Sequence, residues 1–226
     1  MNSFSSLMYS VDAGVQGVEM DLRMSADSVL VLYHNETLES MTNGKGTIRE
    51  NNWETISTCK YRDLFSGEEY VIRPQTFITA VKTQTVFFTF DCKIKQEEGQ
   101  TYMEAFGNRL LQLIREHGLQ SRCYVESYSP EFLWFLHERE PSLRCFLYTD
   151  HAWEGLEFAT TFPLYGITMN MRKLSVEEVQ KIHAAGLRVA LFNMSTEHEN
   201  LEAIMMSPDF VQTDKVEHMV EVLKKY

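Results

Sequence analysis

The stretch Gly17-Val18-Glu19-Met20-Asp21-Leu22 alternates apolar and acidic side chains with a period of two. That is the pattern of a strand with one face in apolar surroundings and the other presenting Glu19 and Asp21 together, about 7 Å apart along the chain. Two carboxylates on one face repel each other unless something positive lies between them. A hard divalent cation answers that need, because Mg²⁺ and Ca²⁺ prefer oxygen ligands. A solvated strand edge carrying two unrelated acids fits the same spacing.

Two neighbouring runs extend the pattern. Val86-Phe87-Phe88-Thr89-Phe90-Asp91-Cys92-Lys93 is an apolar strand whose end places Asp91 and Lys93 on one face. In a parallel barrel the C-terminal ends of the strands carry the active site. Asp91 could complete a three-acid metal set with Glu19 and Asp21, and the Lys93 ammonium could meet an anion; a plain Asp–Lys surface pair is the alternative. Val29–His34 is a second apolar run, ending in His34 just before a polar segment. His34 is a candidate general acid–base or metal ligand, although taken alone it reads first as a packing or surface residue. The other six histidines sit mostly in polar or helical settings without partners at metal-ligand spacing. No Walker loop, G-x-G-x-x-G or G-x-S-x-G is present, so phosphate chemistry here does not use a P-loop.

Beyond these runs, strand-like segments cover Cys123–Tyr128, Leu143–Tyr148, Tyr165–Asn170, Leu187–Asn193 and Asp209–Thr213. Helical periodicity covers Asn2–Ala13, Asn52–Lys60, Thr76–Thr83, Thr101–His117, Pro130–Glu140, Ser175–Ala185, Thr196–Met206 and Val216–Lys225. Gly14, Gly118 and Gly186 follow helical runs as C-caps, while Ser129-Pro130 and Ser175 begin others. Strands alternating with crossover helices of ten or more residues imply a parallel sheet. No Pro/Gly/Ser linker divides the chain, so residues 1–226 read as one α/β domain. Residues 35–75 are polar and weakly periodic and read as an insertion. With Val29–His34 as a hairpin partner leading into it, seven strand–helix units remain. A TIM (β/α)8 barrel needs eight. The expected architecture is therefore a barrel that lacks strand one and opens on a helix.

Composition narrows the function. Of 226 residues 44% are apolar and 12% aromatic, core-building material that disordered chains lack. The formal charge of −11 argues against nucleic acid or an anionic membrane as partner. It also means that an anionic substrate must be met locally by a cation. Purely apolar runs such as Val29–Tyr33 are far short of the ~20 residues that span a bilayer. The opening Met1-Asn2-Ser3-Phe4 carries no basic-then-apolar secretion signal. Cys59, Cys92, Cys123 and Cys145 form no C-x-x-C pair and read as buried reduced thiols of a cytoplasmic protein.

Read together, Gly14 to Gly46 resembles the signature of the glycerophosphodiester phosphodiesterase family: an E-x-D strand, a short T/S-x-D turn, a strand ending in H-D, then T-L-x-x-x-T-N-G-x-G. Phe90-Asp91-Cys92-Lys93 is similar to that family's E-x-K strand, and Val125-Glu126-Ser127-Tyr128 to its V-x-S-F. His183–Val189 resembles its H-x-x-G-x-x-V, Val211–Asp214 its closing I-x-T-D, and Asn2–Gly14 the helix after its P-E-N-T. The resemblance implies a TIM barrel that hydrolyses glycerophosphodiesters to glycerol 3-phosphate and an alcohol. It implies a Ca²⁺ or Mg²⁺ ion held by Glu19, Asp21 and Asp91, His34 as one of two catalytic histidines, and Lys93 as a substrate contact. Departures accompany the matches. The family's H-R-G strand and the glutamate of its E-N-T precede the point where this sequence opens, so a rate loss of at least ~10²-fold is expected of the chain as given. Asp91 stands for the usual Glu, Asn35 for the Asp after His34, and Phe192 for a common Trp. An alternative consistent with these departures is an inactive barrel that binds a phosphate or polyol, or serves as a scaffold.

Overall fold

The computed structural model describes residues 2–62 and 67–225. Helix α1 (Phe4–Asp12) starts at Ser3, whose hydroxyl accepts the Ser6 N–H. Strand β1 (Gly17–Met24) follows, and the short β2 (Leu30–Leu32) folds back on it antiparallel, with Leu22 opposite Leu32 and Met24 opposite Leu30. After the irregular stretch holding the single turn α2 (Trp53–Ile56), α3 (Pro74–Ala80) leads into β3 (Phe87–Cys92). A regular alternation then runs through α4 (Gln100–Glu116), β4 (Cys123–Ser127), α5 (Pro130–Arg139), β5 (Arg144–Tyr148), α6 (Ala152–Phe158) and β6 (Gly166–Asn170). It closes with α7 (Val176–Ala184), β7 (Arg188–Met194), α8 (Glu197–Met205), β8 (Phe210–Thr213) and α9 (Val216–Leu223).

The strands form one sheet in the order β2-β1-β3-β4-β5-β6-β7-β8, parallel throughout except for the β1–β2 hairpin. Each parallel strand is followed by a helix, which gives the seven expected units and an incomplete barrel. The sheet is strongly curled. The rings of Tyr124 on β4 and Phe210 on β8 lie 5.0 Å apart across its concave side. Among the described residues the curl does not close, since β8 pairs only with β7 and β2 only with β1. The helical layer runs on across that interval, where Tyr9 of α1 hydrogen-bonds Glu217 of α9.

Period-two alternation decides which side chains face where. Val18, Met20 and Leu22 on β1 and Phe88, Phe90 and Cys92 on β3 point outward into the main core under the helices. Burying each such large apolar side chain stabilises the fold by about 1.5–3 kcal/mol. Inside the curl, Tyr124, Phe146 and Ala190, with Phe87, Tyr165 and Phe210 against them, fill the end nearest the strand N-termini. The mouth at the strand C-termini is therefore the open end. Helix ends are well specified: Ser175 and Thr196 make capping boxes with Glu178 and Glu199. Gly14, Gly118 and Gly186 close helices with positive φ, as expected.

The polar segment after β2 builds a small core of its own from Tyr33, Leu38, Ile48, Ile56, Tyr61 and Val71, and residues 63–66 of it lie outside the described residues. Here the structure corrects one expectation. The helix read over Asn52–Lys60 is a single turn, because Cys59 and Tyr61 leave it to pair with Val71 and Glu69 (Val71 N to Cys59 O 3.1 Å; Tyr61 N to Glu69 O 2.9 Å). A helix the periodicity did not suggest, α6, fills the β5–β6 connection. Among the described residues no helix is long and apolar enough to cross a membrane.

Candidate active site

The register of β1 and β3 sets Asp21 opposite Asp91 and Glu19 opposite Thr89 on the concave face. Glu19, Asp21 and Asp91 thereby converge, each offering a carboxylate oxygen within 4.8 Å of the other two. Oxygens that share one Ca²⁺ at 2.3–2.6 Å are separated by comparable distances. Lys93, just past β3, sits over two of these acids. Its ammonium bonds Asp91 and lies 2.8 Å from Asp21 Oδ1. Two of its three N–H groups are thus engaged with carboxylates, leaving one for a further oxygen.

The electrostatics are unbalanced. Burial, then the charges of Asp21, Asp91 and Glu126, raise the Glu19 carboxyl well above its ordinary value. Burial raises Asp91 too, against the pull of Lys93. Burial works against the Lys93 charge, yet Asp91 and Asp21 outweigh it and hold the ammonium above its usual range. Glu19 Oε1 is enclosed and has no hydrogen-bond partner among the described residues. An enclosed carboxylate oxygen without a donor costs free energy comparable to a lost charged hydrogen bond. That orphan atom, in an all-oxygen donor set, fits a hard divalent cation.

His34 lies at the exposed end of the β2 segment, and the field of its charged form reaches Asp91, lowering that carboxyl. Arg23 holds its backbone, with Nε and Nη2 donating to the His34 carbonyl at 3.1 and 2.9 Å. The His34 ring is fixed by a 2.6 Å contact between Nδ1 and Asn35 Oδ1. With Nδ1–H as the donor, Nε2 carries the lone pair.

Three parts of the site went unread in the sequence. Asn2, which is buried, clasps Asp21: its Nδ2 donates to Oδ2 at 2.5 Å and its Oδ1 accepts the Asp21 N–H at 3.0 Å. Glu126 on β4, opposite Asp91, is 2% exposed and adds a fourth carboxylate to the concave face. Burial and the Asp91 charge push it up to about 7, although bonds from Gln212 and Thr168 pull the other way. At the rim, Tyr148 packs on Phe192 with ring centroids 5.0 Å apart and borders a cleft of about 400 Å³ that also reaches Tyr128, Asp150 and Glu154. Burial pushes the Tyr148 phenol up to about 12. The four cysteines are all buried and unbridged.

An open parallel barrel with a cluster of acids and a lysine at its C-terminal mouth has the arrangement of a (β/α)-barrel enzyme, whose active site lies at that end. The comparisons narrow the class. The model of the glycerophosphoryl diester phosphodiesterase family matches residues 1–218, and the chain belongs to that family of phosphoric diester hydrolases. A glycerophosphodiester phosphodiesterase of Caldanaerobacter subterraneus is 20% identical over 229 residues, covering 99% of this chain and 92% of the relative. Among solved structures, the fold is similar to that of an Oleispira antarctica phosphodiesterase in complex with the product sn-glycerol-3-phosphate (TM-score 0.87, 18% identity, 99% and 91% coverage). It is also similar to a Parabacteroides distasonis glycerophosphodiester phosphodiesterase (TM-score 0.83, 19% identity, 99% and 90% coverage).

Proposed function

We propose that residues 1–226 act as one barrel domain, with 35–75 as its insertion, that hydrolyses glycerophosphodiesters to glycerol 3-phosphate and an alcohol with the help of Ca²⁺ or Mg²⁺. The observation that carries this reading is the convergence of Glu19, Asp21 and Asp91 under Lys93 at the open mouth. These three acids would hold the cation. When bound, it supplies Lewis-acid neutralisation of charge on the phosphodiester, which an acidic protein otherwise repels.

The chain's own residues do the rest. Lys93 turns its remaining N–H toward a phosphate oxygen and, fixed between two carboxylates, needs little reorganisation to stabilise charge there. His34, oriented by Asn35 and by Arg23 on its carbonyl, takes a proton through Nε2 from the water that attacks phosphorus and returns it to the alcohol oxygen as the P–O bond to that alcohol breaks. Asn2 keeps the Asp21 carboxylate from rotating out of the set. The leaving alcohol has room in the cleft beside Tyr148. The buried, unbridged cysteines support work in a reducing compartment, the cytoplasm.

The test is release of glycerol 3-phosphate from glycerophosphocholine and glycerophosphoethanolamine with Ca²⁺, with Mg²⁺ and with excess chelator. Turnover that depends on a divalent ion and vanishes in D21N is expected. Activity untouched by chelator would remove the cation from the reading, and no product from either substrate under any condition would remove the hydrolysis.

A further inference from the structure

We infer that Glu126 is a fourth member of the cation centre, an outer carboxylate that acts on the ion through a bridging water. The inference rests on the proposed cation site at Glu19, Asp21 and Asp91. Four observations carry it. First, β3 and β4 pair with Asp91 opposite Glu126, so the two side chains stand next to each other on the concave face, one strand spacing of about 4.8 Å apart at the backbone. Second, Glu126 is anchored from the far side: Thr168 Oγ1 on β6 and Gln212 Nε2 on β8 both donate to its Oε1, at 2.7 and 2.8 Å. No other hydrogen bond to its carboxylate is found among the described residues, so its second oxygen remains an acceptor for water. Third, the group is 2% exposed and makes no ion pair among the described residues. The nearby ammonium, Lys93, is committed to Asp21 and Asp91. Fourth, its charge is felt by Glu19, and the charge of Asp91 is felt by Glu126, which places it within electrostatic reach of the three-acid set.

A glutamine at 126 would accept the same two hydrogen bonds through its carbonyl oxygen without burying a charge. A buried carboxylate that no cationic side chain balances is costly, and a nearby divalent ion removes that cost. Glu126 is not among the acids whose ligand atoms lie within 4.8 Å of one another, which is why its action is through water rather than by direct coordination. Outer carboxylates of this kind accept hydrogen bonds from water on the ion and typically change its affinity 10–100-fold.

The experiment is titration of the metal-stripped full-length chain with Ca²⁺ by calorimetry, and with Tb³⁺ by luminescence, for wild type, D91N, E126Q and E126D. E126Q is expected to bind Ca²⁺ about tenfold more weakly than wild type. Its metal-free thermal midpoint at neutral pH should be higher, since both anchoring bonds survive and the buried charge is gone. E126D keeps the charge but withdraws it by one methylene, and a several-fold loss is expected. D91N should lose more than either. Wild-type affinity in whichever Glu126 variant folds overturns the inference while leaving the three-acid site standing. A wild-type chain that binds neither ion overturns both.

Discussion

Glutamine at position 126 should make the metal-free protein more stable at neutral pH, and by an amount the structure sets. Burial and the Asp91 charge move the Glu126 carboxyl from an ordinary value near 4.5 to about 7. The residue is only 2% exposed, so solvent screening reduces the effect little. Below pH 4.5 both folded and unfolded chains hold the proton, and Glu126 costs nothing. Between about 4.5 and 7 the folded chain retains a proton that the unfolded chain has released, so stability falls as pH rises. Above about 7 the whole penalty is present, roughly 3 kcal/mol for a shift of about 2.5 units at 1.36 kcal/mol each. Between pH 5 and 8, wild type should lose about 2.5 kcal/mol that E126Q does not lose. Glu19 is raised in the same sense and adds to the slope in both proteins. The assay is urea unfolding of both proteins at several pH values with a chelator present, repeated with saturating Ca²⁺, which should shrink or reverse the difference. Parallel stability–pH curves for wild type and E126Q in chelator would refute the reasoning, because they would show that the Glu126 charge is already balanced without an ion.

Lys93→Met keeps the aliphatic stem and removes the ammonium that Asp21 and Asp91 share; kcat/KM should fall about 10²–10³-fold, measured as glycerol 3-phosphate release. His34→Gln should lower kcat by about 10²–10⁴-fold while shifting the thermal midpoint by no more than a degree or so, because the side chain is exposed; a stability loss as large as the activity loss would assign His34 a packing role. Asn2→Ala removes both bonds to Asp21, leaving a buried N–H unpaired and a carboxylate free to turn, and should cost about 2–3 kcal/mol in urea unfolding together with weaker Ca²⁺ binding.

The fold was legible where burial is one-sided and periodic. β1 and β3 alternate cleanly because helices cover one face and the polar mouth the other, and α4 and α7 carry apolar stripes with caps at their ends. It was illegible where small residues do the packing. α6 reads Ala-Trp-Glu-Gly-Leu-Glu-Phe; its fully buried residues are the small Ala152 and Gly155, while Leu156 and Phe158 pack against the core only in part. A Cβ on Gly155 would lie 2.5 Å from Ile167, so the helix can sit there only by omitting the side chain that would have announced it. α2 stops short for the opposite reason. Its periodicity continues past Ile56, but the backbone of Cys59 and Tyr61 finds partners in Val71 and Glu69, and extended pairing wins over another helical turn.

The site divides along a similar line. Glu19 with Asp21 and Asp91 with Lys93 declare themselves as i, i+2 pairs on strands, and a strand keeps such pairs on one face wherever it is placed. Glu126 and Asn2 are single polar residues whose partners are 86 and 19 positions away in sequence, joined only when the sheet curls and α1 docks. One signal was available. A lone acid in the apolar run Cys123-Tyr124-Val125-Glu126-Ser127 belongs to a strand covered on both sides, where a charge without a partner is rare. The physical question such a residue poses is what balances it, and here the concave face offers one lysine against four acids. Either protons or a cation must make up the difference. A proton on Glu19 takes an oxygen from the ion and one on Glu126 removes the charge that faces the ion's water, so the pH dependence of Ca²⁺ affinity separates the two: affinity that climbs through pH 7 in wild type and stays flatter in E126Q is the expected outcome.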